Sequence, residues 1–125
     1  MPPDTYIGFD SAWTDNPGCP GAICAVSIEN GAEVFFEPPR PASFSEAVHF
    51  IRTVSSEKGI TLIALDQPTV VANLTGMRPV ERVAASTISW LGGGVQPANR
   101  GKKGMFCDKS PIWRFLAEMQ AVEDP

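Results

Sequence analysis

Asp10 and Asp66 each close a short apolar run, Tyr6-Ile7-Gly8-Phe9-Asp10 and Thr61-Leu62-Ile63-Ala64-Leu65-Asp66. Runs of this length, rich in β-branched and aromatic residues, read as strands buried on both faces, as inside a parallel sheet. In such sheets chemistry gathers at the carboxyl ends of the strands. Neighbouring parallel strands would therefore bring the two aspartates side by side. Adjacent carboxylates repel, and the repulsion is relieved when one keeps a proton or when a cation binds; Mg²⁺ or Mn²⁺ suits such oxygen ligands. The competing reading is that each aspartate merely begins a turn or caps a helix.

Other chemistry-bearing residues give weaker signals. Cys19, Cys24 and Cys107 make an odd number, and no histidine or second cysteine pair completes a zinc set. Reduced, packed thiols are the expectation. His49, the single histidine, falls on an amphipathic stretch with no sequence-local partner and reads as an ordinary helix residue. The net charge of −4 argues against indiscriminate nucleic-acid binding, but the charge is segregated. Between residues 78 and 114 the cations Arg78, Arg82, Arg100, Lys102, Lys103, Lys109 and Arg114 face only Glu81 and Asp108. Arg100-Gly101-Lys102-Lys103-Gly104 reads either as a flexible loop for phosphate contacts or as a solvated loop kept soluble by its charges.

The elements that must position these residues follow from periodicity and punctuation. A chain of 125 residues makes one domain. No apolar stretch approaches the roughly 20 residues that span a bilayer, and Met1-Pro2-Pro3-Asp4-Thr5 lacks a leader pattern, so a cytoplasmic protein without membrane contact is expected. After the first strand, residues 11–18 read as a loop. A strand over Gly21–Ile28 and another over Ala32–Glu37 flank Asn30-Gly31, the strongest short hairpin signal, and Pro38-Pro39 is expected to stop the second. Phe44, Ala47, Val48, Ile51 and Val54 predict a helix over 43–58, with Ser43 and Glu46 as a capping box and Gly59 as its left-handed C-terminal residue. The helix must cross back over the sheet, so the strand over Ile60–Leu65 should be parallel to an earlier one. A second helix is expected from Pro79, with Val80, Val83, Ala84, Ile88 and Leu91 as its apolar stripe and Gly92-Gly93-Gly94 as its stop. Ser110-Pro111 opens a third, carrying Ile112, Phe115, Leu116 and Met119, while Trp13, Trp90 and Trp113 read as core anchors.

This order, with aspartates ending the first and fourth strands, resembles the ribonuclease-H-like α/β fold. The segments Ile7-Gly8-Phe9-Asp10-Ser11-Ala12-Trp13, Ile63-Ala64-Leu65-Asp66-Gln67-Pro68 and Arg78-Pro79-Val80-Glu81-Arg82, with Gln96-Pro97-Ala98-Asn99-Arg100, are similar to a domain-of-unknown-function family of predicted ribonuclease-H-like nucleases. That family is distantly similar to Holliday-junction resolvases. The resemblance implies a mixed sheet of three antiparallel strands and a parallel fourth, with strand one between strands two and four. It implies Asp10 and Asp66 as metal ligands, Asp10 bridging two ions, in the hydrolysis of DNA or RNA phosphodiesters. Glu81 would be a further catalytic carboxylate or only a favourable charge at a helix start, with Asp108 the weaker candidate. Arg78, Arg82, Arg100, Lys102 and Lys103 would contact substrate.

Nucleases of that superfamily usually draw a further carboxylate from a C-terminal helix that follows a fifth strand, and neither is placed in this sequence, so a shortened domain, lost catalysis or completion by a second copy, and a homodimer through the exposed edge of strand four, are further expectations. A non-catalytic binding or oligomerisation module on the same fold is the alternative function. A sugar-kinase or actin type of phosphotransferase, for which the chain is too short, and a glycosidase are more distant ones.

Overall fold

The computed structural model describes residues 1–122 and is an α/β fold. Its strands are β1 (Asp4–Asp10), β2 (Gly21–Glu29), β3 (Ala32–Ala42) and β4 (Thr61–Leu65), and its α-helices are α1 (Phe44–Val54), α2 (Pro79–Ile88) and α3 (Pro111–Met119). The sheet order is β3-β2-β1-β4. β1–β2 and β2–β3 are antiparallel, and β4 runs parallel to β1, so the central position of β1 is as expected. The β2–β3 connection uses the Asn-Gly pair in the left-handed region, with φ of 51° at Asn30 and 80° at Gly31.

Side-chain alternation divides the sheet into two faces. Thr5, Ile7 and Phe9 of β1 and Ile23, Ala25 and Ser27 of β2 are buried under α1 and α3. Phe9, Phe44 and Phe115 meet with ring centroids 5.5–5.8 Å apart and anchor this layer. The opposite face is bare. Tyr6, Phe36 and Leu62 stand exposed there, beside the small residues Gly8, Cys24 and Ala64. Burial of β1 and β4 on both faces is thus corrected to burial on one, because α1 and α3 pack on the same side.

Several boundaries also differ for physical reasons. β3 runs through Pro38, Pro39 and Pro41 to Ala42, because its outer edge has no neighbour to which an N–H must donate and the ladder to β2 breaks register between Arg40 and Glu37, where Pro38 and Pro39 have no paired partner. α1 has the expected capping box, with Ser43 accepting from the Glu46 N–H and Glu46 accepting from the Ser43 N–H, but it ends at Ser55 in extended conformation. Gly59 is therefore not its left-handed terminus. It is a point of close approach, where a Cβ would sit 2.0 Å from the Pro3 carbonyl oxygen.

The largest correction concerns α2. Of its expected apolar stripe, Val80, Val83 and Leu91 are more than 60% exposed and Ala84 and Ile88 are half-buried, while Glu81 is the one buried residue of the helix. A 3-10 turn over Ser89–Leu91 follows and stops at left-handed Gly92, as the glycine run predicts. Trp90 is 78% exposed and anchors nothing; Trp13 and Trp113 do pack, against a second small core of Val71, Ala98 and Phe106. The cysteines are unpaired, and Cys19 is exposed instead of packed. No helix among the described residues is long and apolar enough to cross a membrane.

Candidate active site

β1 and β4 leave the sheet together. Phe9 and Leu65 are register partners, and the Asp66 N–H donates to the Phe9 carbonyl at 3.0 Å. Asp10 ends β1 and Asp66 directly follows β4, so the two stand at the ends of neighbouring parallel strands, which run about 4.8 Å apart. Phe9 and Leu65 pack into the helix-covered core, so alternation turns Asp10 and Asp66 to the bare face. Both are exposed, and both line one open depression of about 500 Å³ floored by Gly8, Ala22, Cys24 and Ala64. Gly21 keeps the end of β2 tight against this site, because a Cβ there would lie 2.3 Å from the Asp10 carbonyl oxygen.

The loop after Asp10 is pinned by polar contacts. Asp10 Oδ1 accepts the Ala12 N–H at 2.9 Å, closing an Asx turn. Ala12 and Trp13 are both left-handed, with φ of 52° and 63°. That conformation costs about 1–2 kcal/mol per non-glycine residue, and surrounding contacts must hold it. They are present: the Trp13 indole N–H donates to the Asp66 carbonyl at 2.9 Å, and the Trp13 main-chain N–H donates to Ser11 Oγ at 3.1 Å. Buried Ser11 donates to Gln67 Oε1, and the Gln67 amide donates to the Met105 carbonyl at 3.2 Å. The residues following the two aspartates are therefore bonded to each other and fix the relative position of the strand ends. From the sequence, Ser11 and Gln67 stand in the family-like segments without a role, and Trp13 reads only as a core anchor. Their signal was two polar residues in equivalent positions, each directly after an aspartate and turned by alternation toward the core.

The remaining sequence candidates are elsewhere. Glu81 is 3% exposed, and both its oxygens are occupied. It accepts from the Arg78 main-chain N–H at 2.8 Å, from Arg78 Nε at 2.9 Å and from the Ala98 N–H at 3.0 and 3.1 Å. Burial pushes its pKa up, but the bonds from Ala98 and Arg78 outweigh burial and the carboxyl titrates below its usual value. Glu81 thus joins α2 to the 96–100 segment and does not line the aspartate depression. Arg78 is committed to Glu81 and to the Val70 carbonyl. Arg100 pairs with Asp108 and lies 4.4 Å from the centre of the Trp113 ring, so neither it nor Asp108 is free. Its segment is also tied down, with the Arg100 and Gly101 N–H groups donating to Asn73 and Leu74 carbonyls. Arg82 and Lys103 are exposed, Lys102 is half-buried, and none of these cations lines the depression.

Among the described residues no three His, Cys, Asp or Glu side chains gather as a ready metal-ligand set. Two carboxylates on an open surface are nevertheless a donor set that Mg²⁺ accepts, because this ion keeps several waters and takes one or two carboxylates together with substrate phosphate oxygens. Asp10 Oδ2 and the Asp66 carboxylate have no hydrogen bond to protein among the described residues. No family model, curated protein or solved structure matches the chain. The function must be argued from these residues.

Proposed function

We propose that the chain is a divalent-metal-dependent nuclease of ribonuclease-H-like type, hydrolysing phosphodiester bonds of DNA or RNA. The observation that carries this reading is that Asp10 and Asp66 each directly follow the last register pair of adjacent parallel strands, Phe9 and Leu65, and both line one open depression. Like charges at this spacing favour a bound cation. Mg²⁺ or Mn²⁺ held there would activate water and stabilise the departing oxygen. Asp10 would present Oδ2 while its Oδ1 stays on the Ala12 N–H, and the Ser11–Gln67 bond would keep Asp66 at a fixed distance from it. Arg82, Lys102 and Lys103 are the cations left for nucleic-acid phosphates, since Arg78 and Arg100 are engaged within the fold. Glu81 has no place at the reacting centre.

Mn²⁺ titration calorimetry on the intact chain, Asp10→Asn and Asp66→Asn tests the reading. One binding event is expected in the intact chain, weakened at least about 100-fold in each variant, since even outer-shell partners of metals contribute about 10- to 100-fold. Cleavage of end-labelled oligonucleotides should need Mn²⁺ or Mg²⁺ and both aspartates. No heat of binding in the intact chain would remove the proposal.

A second reading, a non-catalytic module that assembles through its sheet, is favoured by the contrast between the two sheet edges. β3 carries three prolines, Glu33, Glu37 and Arg40, which block further pairing, whereas β4 offers Thr61-Leu62-Ile63-Ala64-Leu65 without a charge or a proline. Antiparallel pairing of β4 with the β4 of a second copy would make a homodimer. Light scattering at high protein concentration should then give twice the chain mass, reduced to one by Leu62→Lys; a monomer at all concentrations rejects it.

A further inference from the structure

A second cavity, of about 480 Å³, lies between α1 and α3 on the helix-covered side of the sheet and shares no lining residue with the aspartate depression. Phe44, Val48 and Phe115 form its apolar floor. Its rim has a different character: it is lined by His49 and Arg52 of α1, by Lys109 just before α3, and by Arg114 in the first turn of α3. Two carboxylates share the rim, and both are already engaged. Asp15 accepts the Phe44 main-chain N–H at 3.0 Å. Glu118 is shared between Arg114 Nε at 2.7 Å and Arg52 Nη2 at 3.6 Å, so one carboxylate serves two guanidinium groups and, unlike Arg78, each keeps further guanidinium nitrogens without a partner among the described residues. Lys109 has no ion-pair partner among the described residues. In a chain of net charge −4, the lining of this cavity carries Arg52, Lys109 and Arg114 against Asp15 and Glu118, a local balance of +1 with His49 counted as neutral.

The two helix starts bordering the cavity differ in a way that adds to this field. α1 begins under the Ser43 cap, with Glu46 in its first turn and Asp15 on its first N–H. α3 begins at Ser110 with no side-chain cap bond and no acidic residue in its first turn. The positive end of α1 is therefore compensated, while that of α3 is not.

We propose that the cleft between α1 and α3 is a binding site for a small phosphorylated ligand, its phosphate held by Lys109, Arg114, Arg52 and His49 and its organic part resting on Phe44, Val48 and Phe115. Arginine and lysine together suit the multiple oxygens of a phosphate or diphosphate group. The cavity volume is in the range of small-molecule sites, and its apolar floor with a few convergent polar groups has the usual composition of one. The proposal is independent of the nuclease reading.

His49 is the only histidine, so its imidazole resonances report on the cleft without ambiguity. Sodium pyrophosphate and adenosine monophosphate would each be titrated into metal-free protein while those resonances are followed by NMR. A saturable shift is expected with both, with the midpoint raised about tenfold for each cation removed in Lys109→Ala and Arg114→Ala, and restored by Lys109→Arg. Both side chains are exposed, and unchanged thermal unfolding would verify that the variants remain folded. Asp10→Asn with Asp66→Asn should bind both probes as the intact chain does, which separates this site from the metal site. The absence of a saturable shift up to about 10 mM ligand, an unaltered midpoint in the Lys109 and Arg114 variants, or a response only to an oligonucleotide would each overturn the proposal.

Discussion

The sheet with α1 and α3, and the segment from Gln67 to Lys109, are held together by different forces. In the first, Phe9, Ile23, Ala47, Ile51, Ile112 and Phe115 form a continuous apolar core. In the second, only Val71, Ala98 and Phe106 are buried apolar residues, and the segment is tied by polar bonds: Glu81 to Ala98 and Arg78, Asn73 to Ala98, Gln67 to Met105 and Arg100 to Asp108. α2 follows from this difference. It is fixed by the one carboxylate it buries, while its valines face outward. An amphipathic pattern gives the side of a helix that can be buried, but a buried charge with three committed donors decides which side is.

Variants that attack each kind of attachment should separate the two regions. Phe9→Ala removes the ring shared by Phe44 and Phe115 and should destabilise the whole chain by about 3–5 kcal/mol, read from denaturant midpoints. Glu81→Ala leaves the Ala98 N–H and the Arg78 guanidinium without their acceptor and should cost about 3 kcal/mol, a loss seen first in amide exchange between residues 70 and 100. Equal deprotection of β1 and β2 would show that the segment is not a separate cooperative unit. The same carboxylate sets an acid limit. Its pKa is lower folded than unfolded, so its contribution is complete above the unfolded value of about 4.3 and disappears as pH falls through the lowered folded value. Thermal unfolding in that acid window should therefore drop less in Glu81→Gln than in the intact chain. The smallest effect belongs to the outer face of α2, where Val83→Ser should change stability by no more than about 0.5 kcal/mol. A larger loss would mean that the valine is covered in solution.

The same contrast explains what could be read from the sequence. The strands themselves, the Asn-Gly turn and the Ser43–Glu46 cap depend on periodicity and short-range turn chemistry and were legible, whereas the place of β1 between β2 and β4, which brings Asp10 beside Asp66, was implied by the family resemblance. The one-sided sheet was not, because the apolar content of β1 and β4 is the same whether one face or both are covered. The role of Glu81 was hidden for another reason: its partner is the main chain of Ala98, which has no side-chain signature. Arg100 was read as a phosphate contact because its charge is visible in the sequence, whereas its stacking on Trp113 is not.

The parallel β1–β4 ladder also has a consequence in time. Ser11 and Gln67, which tie the two strand ends, are separated by 56 residues, whereas Glu29 and Ala32 meet across a two-residue turn. Closing the longer loop costs more chain entropy, and non-local pairing is slow to form. We therefore expect the β2–β3 hairpin to be protected in pulse-labelled exchange before the Asp66 amide is; simultaneous protection would refute this order. A chain in which the hairpin has formed but β4 has not yet docked holds Asp10 alone, so in this order the carboxylate pair comes into being only after the hairpin, when β4 joins the sheet.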